Sequence, residues 1–215
     1  MLQNDITEKL EKHYTQRFIE KGATPQGVFH NGPESQLLRF IQLLKILGSE
    51  TSFSLLDYGC GYGALLELLK TLPVDVAYTG YDVSDAMIQE ARQRYSMFKD
   101  AVFTSKEEDL GLYDYAVESG VFNICLDTPR DEWQGYVLHA MDKMARVTKK
   151  GFALNMMTSY KDPGYMHPGH YYVDPRFMLD YCITHFSRRV ALLHDYELYE
   201  FTLLVRKDEN ESWIT

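Results

Sequence analysis

Positive charge, cysteine and long apolar runs are all scarce in this 215-residue chain. Lys and Arg number 22 against 31 Asp and Glu, a formal net charge of −9. Non-specific capture of phosphate polymers rests mainly on Lys and Arg displacing counterions, so this balance disfavours nucleic acid as a partner, a local basic patch aside. The cysteines are three, Cys60, Cys125 and Cys182, and none belongs to a C-x-x-C pair. Their odd number and wide spacing predict reduced thiols, a cytoplasmic setting and no zinc framework. No stretch reaches the roughly 18 apolar residues of a membrane-spanning helix. The charged opening MLQNDITEKLEKHY predicts no signal peptide. Internal repeats and low-complexity tracts are missing as well.

Against these absences stand 45% hydrophobic and 25% charged residues, close to the globular average. A chain of this length buries about 70% of its unfolded surface, enough for one substantial core. The expected organisation is one domain: a helical cap over 1–50, an α/β core over 51–207 and a solvated acidic tail over 208–215. In the cap, two helical parts flank an irregular stretch from Gly22 to Gly32. Leu37, Ile41, Leu44 and Leu47 recur at helical spacing and predict the covered face of the second helix. From SFSLLDYG onward, short apolar runs alternate with helix-period segments, which predicts a mostly parallel sheet covered on both faces. The last two runs, Arg189 to His194 and Leu198 to Val205, lie too close together for a crossover helix and predict a C-terminal antiparallel hairpin.

Chemistry concentrates at three places. In Asp57-Tyr58-Gly59-Cys60-Gly61-Tyr62-Gly63, glycines end a strand and open a helix, where bare Cα atoms admit a ligand against the backbone. A dinucleotide fingerprint needs its third glycine three residues after the second, whereas Gly63 follows Gly61 by two. Asp82 closes the next strand in YTGYDVS, a position from which a carboxylate accepts both hydroxyls of a ribose. Ser119 and Gly120 end the strand that begins near Tyr113 and should open into the same crevice. Asp57 has two roles open to it, capping the glycine turn or touching a cofactor.

These segments closely resemble the class I S-adenosylmethionine-dependent methyltransferases. The resemblance is detailed from Leu55 to Asn123 and holds in outline elsewhere. It implies a Rossmann-like, doubly wound, mostly parallel seven-stranded sheet with a C-terminal antiparallel hairpin and an N-terminal helical cap. It also implies S-adenosyl-L-methionine as cofactor. Asp57, Gly59, Cys60, Gly61 and Gly63 match the first motif of the family, and Asp82 matches the ribose acid. Val83 would lie beside the adenine, with Met87 on the next helix. Glu107, Glu108 and Asp109 compete for the adenine amino group, Asp109 standing as the candidate, and Ser119 and Gly120 would reach the methionyl part.

The acceptor is expected to be a small molecule methylated at oxygen or nitrogen, because cap and loop are short. A tRNA or protein methyltransferase and a non-catalytic cofactor-binding protein are the alternatives. The long segment after the strand ending near Thr158 carries His167 and His170, candidate general bases, with Tyr160 and Tyr171 as candidate substrate contacts. Asn123 joins them from the end of the motif-bearing strand. The other histidines, His30 among them, read as non-catalytic. No metal-ligand spacing stands out, and oligomeric state leaves no mark on the sequence.

Overall fold

The computed structural model describes residues 2–207, so the expected tail over 208–215 lies outside the described residues. Helix α1 (Leu2–Lys21), a one-turn helix (Pro25–Val28) and α2 (Pro33–Leu44) precede the first strand. Strands β1 (Ser52–Tyr58), β2 (Asp75–Tyr81), β3 (Ala101–Thr104), β4 (Tyr113–Ser119) and β5 (Thr148–Met157) alternate with α3 (Ala64–Leu69), α4 (Asp85–Arg94) and α5 (Arg130–Arg146). Helix α6 (Pro175–His185), β6 (Arg189–Leu193) and β7 (Glu200–Arg206) complete the sheet. Its order is β3-β2-β1-β4-β5-β7-β6. Strands β1 to β5 pair in parallel, while β7 runs antiparallel to both β5 and β6. The expected seven strands and terminal hairpin are therefore present.

Both faces of β1 are covered, which explains its unbroken apolar run. Leu56 packs with Trp133, Met141 and Phe152 under α5 and α6. Its neighbour Leu55 points the other way, against Leu43 of α2, Leu66 of α3 and Ile88 of α4. Between β3 and β4 the chain makes only a one-turn helix, Glu107–Asp109. Ile6 and Leu10 of α1 join the first of these clusters, so the N-terminal helix helps to cover that face.

One expectation about the cap is corrected. Helix α2 exists as foreseen, but Leu37 and Ile41 are 44% and 46% exposed. The covered face is instead Gln36, Arg39, Phe40 and Leu43. It carries polar groups because it closes over a cleft: Arg39 meets Glu200 of β7 and His30 of the loop before α2, and Gln36 meets the Tyr62 hydroxyl. No described helix is long and apolar enough to cross a membrane.

Trp133 anchors α5 to the end of β4. Its indole is fully buried, and Nε1–H donates to the Phe122 carbonyl at 3.1 Å. We expect Trp133→Ala to cost about 3–5 kcal/mol in chemical denaturation. Met97→Ala, at a side chain that is 91% exposed, should stay within about 0.5 kcal/mol of the parent.

Candidate active site

Strand order reverses between β1 and β4, and a crevice opens outside their carboxyl ends, the place where open α/β sheets bind ligands. Its floor is the turn from Gly59 to Gly63. Gly59 and Gly61 hold φ of +83° and +55°, conformations that disfavour any side chain. A methyl on Gly59 would sit 2.0 Å from Val121 Cγ2. The turn is tied to the end of β2: the Gly59 and Cys60 N–H groups donate to the Tyr81 carbonyl at 2.7 and 2.9 Å.

Asp82 tightens that tie. Its Oδ2 accepts from the Gly61 N–H at 2.8 Å, and its Oδ1 accepts from the Ser84 N–H at 2.9 Å. Each oxygen keeps a further lone pair for a ligand hydroxyl. Burial raises the carboxyl's pKa, and the two N–H groups counteract it. Ser84 caps α4 by accepting from the Met87 N–H, and its hydroxyl lies 2.6 Å from that of Thr15 on α1. The cap is thus pinned beside the acid.

Two more carboxyls lie behind the turn. Asp57 accepts from the Tyr78 hydroxyl at 2.5 Å. Burial, partly offset by that bond and reinforced by Asp82, pushes its pKa up to about 7. Glu118 is fully buried, which drives its pKa well up. Its Oε1 takes the Val121 N–H at 2.5 Å, while Oε2 has no partner. Tyr14 of α1 faces these acids; burial first, then Glu118 and Asp82, raise its phenol pKa strongly.

A cleft lies over this turn. Of the residues expected to hold a cofactor, Asp57, Gly59, Cys60, Gly61, Asp82, Val83, Met87, Ser119 and Gly120 line it. Ser119 Oγ is buried in the cleft wall without a partner. A bare glycine cradle, a carboxylate with spare lone pairs, an unpartnered hydroxyl and the apolar Val83–Met87 side together fit an adenosyl amino acid. Gly63 does not line the cleft. Its place is set by packing, since a methyl there would meet Tyr95 at 2.7 Å. Asp109 is exposed and accepts from the Thr104 hydroxyl at 2.8 Å. Glu107 borders an adjoining polar cleft with Tyr58, Tyr81 and Tyr136, its carboxylate paired with Lys143 at 2.7 Å.

A smaller cleft meets the first at Val28, His30 and Gly120. Among the candidate substrate and catalytic residues, Asn123 and His170 line it. Burial, with His167 and Lys161 nearby, lowers the His170 pKa. The structure does not bring the others there. His167 is exposed on the loop. Tyr160 is 57% exposed, its ring 6.0 Å from that of His194. Tyr171 is buried in the core, its hydroxyl donating to Gln134 at 3.3 Å. The loop's aromatic content marks packing at Tyr171 and surface at Tyr160.

Sequence reasoning missed the polar wall between the clefts. Arg39 and Glu200 form a buried ion pair, 2.7 Å from Nε and 2.5 Å from the Nη2 group. Arg39 Nη1 also lies 2.9 Å from His30 Nδ1. The residues are 161 apart in the chain, so no local spacing announces the pair.

The family described as Methyltransferase domain matches residues 56–151. The Mycobacterium tuberculosis protein Rv1506c, whose name places it among methyltransferases, is 40% identical over 76% of this chain and 99% of its own length. Magnesium protoporphyrin IX methyltransferase from Synechocystis, solved with S-adenosylmethionine, superposes with a TM-score of 0.64 at 15% identity, covering 97% of this chain and 98% of its own. The small RNA methyltransferase HEN1 matches with a TM-score of 0.59 at 17% identity, over 82% of this chain and 25% of its own. At such identities the likeness is of fold. It spans porphyrin and RNA enzymes, so it lends no support to excluding nucleic acid.

Two outcomes follow from the buried charges. Arg39→Met strands the Glu200 carboxylate and should cost about 3–5 kcal/mol, whereas Arg39→Met with Glu200→Met should recover most of it in thermal or urea unfolding. Asp57 is protonated more readily folded than unfolded, so it favours folding at low pH and loses that contribution as pH rises from about 4 to about 7. In the ligand-free protein Asp57→Asn should flatten the decline of stability across that window, read by denaturation at a series of pH values.

Proposed function

The chain belongs to the class I S-adenosylmethionine-dependent methyltransferases, and we propose that it methylates a small-molecule acceptor, at oxygen or nitrogen, held in the smaller cleft. The observation that carries this reading is the junction of the two clefts at Gly120. A cofactor lying over the glycine turn and an acceptor beside Asn123 and His170 would meet there.

S-adenosylmethionine supplies an electrophilic methyl group on a sulfonium. Holding the nucleophile in line and excluding water are then the main tasks left to the protein. Asp82 would accept the ribose hydroxyls while keeping its grip on the Gly61 and Ser84 N–H groups. Ser119 Oγ would donate to the methionyl end. Val83 and Met87 would flank the adenine. Tyr14 of α1 and Phe40 of α2 close the cleft from the cap side and keep water out. For a hydroxyl acceptor, His170, which lines the smaller cleft, would take the proton, and its lowered pKa favours the neutral ring that a base needs.

The walls of the smaller cleft come from three segments of this chain, the cap, the turn after β4 and the loop after β5, which supports a small acceptor held between them. Three free cysteines support a reducing, cytoplasmic setting. The test is transfer of labelled methyl from S-adenosylmethionine to fractionated cell extract. Label should appear in low-mass fractions; label confined to RNA or protein would contradict the proposal. Asp82→Ala should weaken both S-adenosylmethionine and S-adenosylhomocysteine at least about tenfold in calorimetry, as loss of hydrogen bonds to a charged group implies. Unchanged affinity would remove Asp82 from the site.

A further inference from the structure

Building on the two-cleft reading, we propose that His30 and Asn123 form a two-donor subsite that binds a carboxylate oxygen of the acceptor. The geometry fixes what each residue offers. Arg39 is a donor without acceptor capacity, so its Nη1–H, 2.9 Å from His30 Nδ1, requires that nitrogen to accept. A neutral imidazole accepting at Nδ1 carries its proton on Nε2. Burial and the Arg39 guanidinium push the His30 pKa down to about 3, which keeps the ring neutral. Arg39 is itself held by both oxygens of Glu200 through Nε and Nη2, so its Nη1–H stays aimed at His30, and the reversed tautomer would set two donors face to face.

Asn123 is oriented by the same logic. Its Oδ1 accepts from the Met157 N–H at 2.9 Å, which turns the amide NH2 the other way. The two donors converge across Gly120: a methyl placed on that residue would lie 3.7 Å from Asn123 Nδ2 and 3.8 Å from His30 Nε2. Both side chains are more than nine-tenths buried. Both residues line the smaller cleft.

The backbone supports the arrangement. Phe29, just before His30, is held at φ +61°, a left-handed conformation that costs a phenylalanine energy. Its ring stacks on His13 at 4.8 Å, meets Tyr14 edge-on at 5.2 Å and lies under the Arg17 guanidinium at 5.0 Å. Those contacts hold the turn that presents the imidazole.

Two converging donors select a ligand atom rich in lone pairs and poor in protons. A neutral amine brings N–H groups that need acceptors, and an ammonium brings charge that the donors repel. A carboxylate satisfies both donors with one oxygen and leaves the other to attack. Its lone pair forms the new O–CH3 bond as the S–CH3 bond breaks, the bonding pair passing to sulfur. The carboxylate and sulfonium charges cancel, giving an ester and a thioether, and no proton has to be removed. Val28, Ile124 and Met157 share the wall with Arg39 and His170, a mixed lining that suits a carboxylate borne on an apolar body.

The probes are benzoate, benzamide and benzylammonium, titrated into the full chain with and without saturating S-adenosylhomocysteine. Benzoate should bind best, and Asn123→Asp should weaken it at least about tenfold, the loss expected for a hydrogen bond to a charged group. That substitution keeps the Oδ1 bond to Met157, so S-adenosylhomocysteine affinity should stay within about twofold. In nitrogen-15 spectra of histidine-labelled protein, His30 should be the Nε2–H tautomer at neutral pH and shift on adding benzoate. Failure of benzoate to bind, equal binding of the three probes, equal weakening of S-adenosylhomocysteine by Asn123→Asp, or a cationic or Nδ1–H His30 would each overturn the subsite. Failure of S-adenosylhomocysteine to bind would strike the cofactor reading instead, and the titrations without it would still judge the subsite.

Discussion

The carboxylate of Asp82 is the constraint around which the rest of the site is arranged. It takes one backbone N–H from the glycine turn and one from the start of α4, joining the ends of two adjacent strands through one side chain. Burying that charge costs energy, and the N–H groups offset part of it. The consequence is a glycine turn held open and a carboxylate with lone pairs still directed at the cleft. The cap depends on the same point, because Thr15 of α1 meets the Ser84 hydroxyl beside it.

Buried acids set the electrostatic character of this region. Asp57, Asp82 and Glu118 all sit in the desolvated zone below the turn, and all have raised pKa values. Such a zone is poorly satisfied in isolation and welcomes a cationic ligand, whose charge would draw the carboxyls toward their ionised form. The wall beyond Gly120 has the opposite tendency. Arg39 neutralises Glu200 and leaves hydrogen-bond donors, not acids, facing the smaller cleft. The two clefts therefore differ in chemistry as well as in position.

Much of this was legible in the sequence where function and local pattern coincide. The glycine turn, Asp82 and the Ser119-Gly120 corner lie at the ends of short strands that alternation reveals, and the family resemblance brings those ends to one crevice. The smaller cleft was not legible in that way. Helix α2 shows an apolar stripe at Leu37 and Ile41 that faces outward, because its inner face is spent on Gln36 and on Arg39, the partner of Glu200. His30 looks like a loop histidine until Arg39 and Gly120 are placed beside it. Tyr160, Tyr171 and His167 drew attention by residue type and loop position, yet packing sends one into the core and two to the surface. Long-range pairs leave no periodic trace, and that is where the sequence reading ran short.

The central claim is that the cleft over the glycine turn holds the nucleoside of S-adenosylmethionine through Asp82. A crystal structure of the full chain with S-adenosylhomocysteine tests it most directly. The account predicts both ribose hydroxyls within hydrogen-bond distance of the Asp82 carboxylate, with the amino acid part reaching Ser119 and Gly120. A nucleoside bound elsewhere, or one that leaves Asp82 bonded only to Gly61 and Ser84, would contradict it.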